Sequence, residues 1–199
     1  VEQDPNYTYA TARFLLRTLY TEALDFLELP TAVYTNNHAG VYHHYFQHYI
    51  KRGVALELLD PQLRSFDLEK LGKALLPERD QQFTYLSLQT LYDRYFLHAD
   101  DVRFELPQAF FMRIAMGLAQ QESNKEDRAI EFYQLLSSFD YMASTPTLFN
   151  AGTLRPQLSS CFLTTVADDL DQIYSAIKDN ALLSKFAGGL GNDWTPVRA

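Results

Sequence analysis

Only one cysteine, Cys161, and one tryptophan, Trp194, occur in 199 residues. A lone thiol excludes an internal disulfide framework and points to a reducing, cytoplasmic setting. No apolar run reaches the roughly 18 residues that a membrane helix requires, so no span is expected. The opening residues, VEQDPNYTYA, lack the basic stretch and following apolar run of a secretory leader. Basic charge is short as well: 17 Lys and Arg face 25 Asp and Glu, a formal net charge of −8. Binding duplex nucleic acid needs a basic face that displaces counterions from phosphates, and this balance argues against it. Small anionic ligands stay open, because a local pocket can be positive on an acidic protein.

Aromatic carbon is plentiful instead, with 13 Tyr and 14 Phe. Buried rings of this size offset chain entropy, which predicts order over disorder. Residues 1–140 read as helix after helix. Tyr9, Phe14, Leu15 and Tyr20 suggest a first amphipathic stripe, followed by a loop through Leu29-Pro30 and Asn36-Asn37. A second helix, Val41–Arg52, carries Tyr42, Tyr45, Phe46 and Tyr49 at i, i+3, i+4 and i+7, and Gly53 is expected to close it. Asp67–Leu76 forms a short helix stopped by Pro77, and Thr84–Phe96 another. Pro107 fits the first turn of a helix whose body, Ala109–Gln121, is apolar almost all round and therefore buried. Asn124 is expected to cap a helix to about Phe139.

The character changes near residue 141. Ser144-Thr145-Pro146-Thr147 and Asn150-Ala151-Gly152 are turn-forming, and Leu158–Val166 is β-prone. Asp168 or Asp169 then starts a helix to about Phe186, ended by Ala187-Gly188-Gly189-Leu190-Gly191 and followed by a second strand. Strand, helix, glycine turn and strand predict the beginning of an α/β domain. Both chain ends, Val1 and Ala199, are read as cuts in a longer protein.

The stretch STPTLFNAGTLRPQLSSCFL, then DDLDQIY, then SKFAGGLGNDWTPVRA, resembles in order and spacing the large, catalytic subunit of class I ribonucleotide reductases. In that family a Thr-Pro element precedes a Ser-Ser-Cys triplet by the spacing that here separates Thr145 from Cys161. The segment ERDQQFTYLSLQTLYDRYFL is similar to part of the family's helical domain. The resemblance implies a mostly α chain: an N-terminal helical domain, 1–140, followed over 141–199 by the first strand and helix units of a ten-stranded α/β barrel.

The resemblance also implies roles. Cys161 would be one thiol of the redox pair that reduces a ribonucleotide, and Thr145, Ser160, Cys161 and Gly189 would bind a ribonucleoside diphosphate. Asp168, Asp169, Leu170, Lys185 and Arg198 would hold a dNTP or ATP effector. The expected partners are a second large subunit, a small metal-containing subunit that generates the radical, and a thioredoxin or glutaredoxin-type reductant. No metal or cofactor is expected on this chain, and the chain alone is expected to be inactive. A cobalamin-dependent reductase is the neighbouring alternative within the family.

Each residue also has a plainer reading. A lone cysteine is most often a buried structural thiol. Ser and Thr beside proline usually bond their own backbone. A Gly-Gly-x-Gly after a helix is a stop, and an aspartate before one is a cap. His43, His44 and His48 have a helical spacing that could ligate metal, but no adjacent carboxylate or cysteine completes a set. On these readings the chain would be a non-catalytic helical interaction module.

Overall fold

The computed structural model describes residues 7–30, 38–185 and 188–198. The expected loop residues Asn36-Asn37, the helix end at Phe186 and Ala187 lie outside that set. The first two helices are α1 (Tyr7–Phe26) and α2 (His38–Ala55). A 3-10 turn at Pro61–Ser65, α3 (Leu68–Ala74) and a second 3-10 turn at Pro77–Gln82 lead to α4 (Tyr85–Arg94). A small antiparallel pair, β1 (His98–Ala99) and β2 (Val102–Arg103), precedes α5 (Pro107–Ala119), α6 (Lys125–Ser137) and α7 (Thr145–Asn150). The chain then forms β3 (Cys161–Thr165), α8 (Leu170–Lys185) and β4 (Gly189–Asp193). No described helix is long and apolar enough to cross a membrane.

Sequence-local signals place several of these elements. Asp67 and Thr84 accept hydrogen bonds from the N–H groups of Lys70 and Ser87, capping α3 and α4. Pro107 stands in the first turn of α5. Asn124 occupies the cap position of α6, but its side chain makes no capping bond. Tyr42, Tyr45, Phe46 and Tyr49 are all fully buried on α2, as their spacing predicts. Along α5 every residue from Pro107 to Met116 is buried.

Four expectations need correction. On α1 the buried stripe is Ala12, Leu16, Leu19, Tyr20 and Ala23, while Phe14 is 72% exposed and Tyr9 43%. Phe14 precedes Leu16 by two residues, about 200° round the helix, so both cannot face α4. Gly53 does not close α2, which runs on to Ala55. Its Cβ would meet Leu59 Cδ1 at 2.5 Å, so glycine there lets the chain fold back on the helix. The Thr145–Asn150 segment is a short helix instead of a turn, with Pro146 in its first turn. The β-prone run narrows to Cys161–Thr165.

One main core joins α1 to α7, reaching Leu148 and Ala151. Backbone approaches backbone closely where α5 meets the turn after α7. A Cβ on Gly117 would sit 2.2 Å from Gly152 N, and Gly152 itself has φ +76°. Two polar clusters are sealed in this core. Asp80 Oδ2 accepts from Tyr20 and Tyr42 at 2.7 and 2.8 Å, and its Oδ1 accepts from Gln108 Nε2 at 2.7 Å. Glu105 pairs with Arg113, accepts from the Tyr49 hydroxyl and accepts from Leu97 N at 2.9 Å. Every member is partnered, as burial of charge requires.

The strands β3 and β4 are parallel, with Cys161 opposite Gly189 and Thr165 opposite Asp193. Helix α8 forms the crossover between them and packs against β4. The result is a single βαβ unit attached to a helical body.

Candidate functional site

The parallel register brings the expected thiol and glycine together. Cys161 begins β3 and is exposed. Gly189 begins β4 beside it, and Gly189 N donates to Ser160 O at 3.3 Å. A Cβ on Gly189 would lie 3.1 Å from Ser160 O and 3.6 Å from Cys161 Sγ. Side chains alternate along a strand, so Cys161 shares its face with Leu163 and Thr165. That face is open: Leu163 is 89% exposed. With glycine at 189 and 191, β4 itself places no side chain beside Cys161 and Leu163.

Thr145 begins α7, a helix bonded to the segment that precedes β3. Thr147 Oγ1 donates to Leu158 O at 3.2 Å, and Asn150 Nδ2 donates to Gln157 O at 2.8 Å. These bonds tie the helix to the irregular segment that leads into Ser160 and Cys161. From beneath, Arg113 donates to Ala151 O at 2.7 Å and to Leu148 O at 3.3 Å. Thr145 is exposed at the start of α7, and its hydroxyl lies 3.4 Å from the Tyr95 hydroxyl. The Tyr95 ring stacks on Phe149 with centroids 4.5 Å apart. Tyr95, at the end of α4, is not among the site residues expected from the sequence. Its contact with Thr145 spans fifty residues and has no local signature.

The other expected group collects at the carboxyl ends of the same strands. Asp193 Oδ1 accepts from Thr195 N at 2.9 Å, turning the chain after β4. A hydrogen bond from the Thr195 side chain, helped by this backbone bond, holds the Asp193 carboxyl below its usual pKa. The turn returns Arg198 to Asp168, Nε to Oδ2, at 3.2 Å. Arg198 is 85% exposed, so this pair contributes little stability. Asp169 accepts from Gln172 N at 3.0 Å and so caps α8, immediately before Leu170. Lys185 is not brought to this cluster. It ends α8, about 22 Å from Leu170 along the axis.

Two cavities flank these groups without containing the thiol. One, about 350 Å³, runs along the sheet between Leu163–Thr165 and Gly191–Asp193. The other, about 590 Å³, lies beside Phe149, Asn150 and Arg155. Cys161 lines neither of them and stands at the start of one strand of the two-stranded sheet. Among the described residues no group of three or more His, Cys, Asp or Glu is placed to hold a metal ion. On α2, His48 Nδ1 is 2.8 Å from His44 O, a contact within the helix.

Comparison with known proteins bears on the same residues. Residues 81–156 match the model of the ribonucleotide reductase all-alpha domain, and residues 159–199 match that of the ribonucleotide reductase barrel domain. Ribonucleoside-diphosphate reductase subunit alpha of Chlamydia muridarum is 50% identical over 200 residues, covering 100% of this chain and 18% of the relative. The Helicobacter pylori subunit alpha is 41% identical over 198 residues, covering 98% of this chain and 23% of the relative. The Monkeypox virus large subunit is 42% identical over 132 residues, 66% of this chain and 17% of the relative. The chain thus spans about a fifth of the length of the relatives it matches. Helical body and βαβ unit follow the family's own order of all-alpha and barrel domains, and the chain belongs to the ribonucleotide reductase large-subunit family.

Proposed function

We propose that this chain is the part of a ribonucleoside-diphosphate reductase large subunit that carries one redox thiol, a substrate-binding turn and an effector-binding edge. The carrying observation is the exposed Cys161 beside Gly189, on an uncovered strand face linked through Leu158 to the α7 turn. Replacing a ribose 2′-hydroxyl by hydrogen consumes two electrons and two protons and releases water. A dithiol supplies both by closing a disulfide, and a thioredoxin or glutaredoxin-type dithiol reopens it by exchange. Cys161 is one of those thiols; its partner and the radical-bearing cysteine come from residues outside this sequence, which holds a single cysteine. The radical that starts the reaction comes from a separate, metal-containing small subunit.

In this reading Thr145 and Ser160 direct hydroxyl and backbone groups to the ribonucleoside diphosphate. Gly189 leaves room for the ligand over the sulfur. At the far edge, Asp168 and Arg198 serve a dNTP or ATP effector, Arg198 through a charge-assisted bond to phosphate. Asp169 and Leu170 form the α8 N-terminus beside it. Lys185, at the opposite end of α8, reaches such a site only from a second copy. Leu170, Tyr174 and Ile177 form an exposed apolar row at i, i+4 and i+7, which suits a large-subunit dimer.

The test uses the large subunit that carries this segment, assembled with its small subunit. Cys161→Ser should abolish dithiol-driven formation of deoxyribonucleoside diphosphate while nucleotide binding persists. Arg198→Ala should weaken dNTP binding at least tenfold. Full turnover by Cys161→Ser would overturn the redox reading.

A further inference from the structure

We infer that Tyr95 is a positioning residue for Thr145, setting the direction in which that hydroxyl faces an anionic ligand. This rests on the reading of Thr145 as a substrate-binding residue. Tyr95 closes α4, half-buried, with its hydroxyl 3.4 Å from Thr145 Oγ1. Its ring is clamped, stacked on Phe149 at 4.5 Å and edge-on to Phe110 at 6.5 Å. Phe149 belongs to α7, the same helix that Thr145 begins, so the phenol and the threonine share one rigid support. Arg113 holds the other end of that helix from inside the core.

Directionality follows from donor counting. A threonine hydroxyl has one hydrogen and two lone pairs, and a phosphate oxygen only accepts. When Thr145 donates to phosphate, its bond to Tyr95 must run the other way, with the phenol donating. Tyr95 therefore leaves the threonine hydrogen for the ligand and keeps it from turning toward the protein. At 3.4 Å the two oxygens are farther apart than in a relaxed hydroxyl pair, and such contacts commonly tighten once ligand binds.

Tyr95→Phe retains both ring contacts and removes only the donor. In the assembled reductase it should raise KM for the ribonucleoside diphosphate about three- to tenfold with kcat unchanged, the loss expected for one hydrogen bond. Thr145→Val should also raise KM. The double variant should match Thr145→Val alone, because the phenol acts through the threonine. The inference is overturned by an unchanged KM in Tyr95→Phe, or by additive effects in the double variant, while Thr145→Val still shows its loss. An unaffected Thr145→Val would instead remove Thr145 from substrate binding, and this inference with it. A fall in kcat with KM unchanged would also overturn it.

Discussion

Arg113 Nε lies 2.7 Å from Glu105 Oε1, and neither side chain reaches solvent. Burial works against the guanidinium charge, yet the Glu105 carboxylate and the Tyr49 hydroxyl keep the Arg113 pKa above its ordinary value. The same guanidinium donates to carbonyls at the end of α7, so the ion pair joins the helical core to the helix that begins with Thr145.

Replacement of Arg113 by methionine should therefore destabilise the protein by about 3–5 kcal/mol. It strands a buried carboxylate and leaves the α7 carbonyls without a donor. Urea unfolding would measure it. A change below about 1 kcal/mol would mean that water reaches Glu105 in the variant and that the pair is not the anchor described.

Asp80 gives the protein a pH dependence. Removal from water raises its pKa from 3.8 to about 6, against the opposing hydrogen bonds from Gln108, Tyr20 and Tyr42. Between those values the folded chain binds more protons at this site than the unfolded chain does. This contribution to stability is fully present below pH 4, falls as pH rises, and levels off above the folded pKa. The fall is on the order of 3 kcal/mol. Unfolding midpoints compared with those of Asp80→Asn would isolate it. The account fails if wild type and variant keep the same slope between pH 4 and 6.5.

Gly117 tests the packing of α5 on the turn at Gly152. Helix propensity alone predicts that Gly117→Ala stabilises by about 1 kcal/mol. The structure predicts the reverse sign, a loss of about 1–3 kcal/mol, because the added carbon meets backbone that no rotamer change can move. A thermal melt decides between them, and a raised midpoint would refute the close approach.

Some features are carried by neighbouring residues and so could be read without the fold. The α2 aromatics repeat on one helical face, Asp67 and Thr84 cap through bonds three residues away, and Pro107 starts a helix it could not continue. The order of Thr145, Cys161, the glycines and Arg198 along the chain was enough to suggest the family. Their spatial grouping was not readable this way. Cys161 meets Gly189 only because β3 and β4 pair in parallel, and Arg198 meets Asp168 only because the chain turns back after Asp193. Lys185, expected to share the effector site with Asp168 and Arg198, is separated from Leu170 by the length of α8.

What the residues determined alone was local conformation, since capping, periodicity and proline act within one or two turns. Which face of α1 is buried, why Gly53 and Gly117 must be small, and how Tyr95 comes to Thr145 were decided by tertiary structure. Each depends on partners far along the chain, and packing selects among faces that local preference leaves nearly equal in energy.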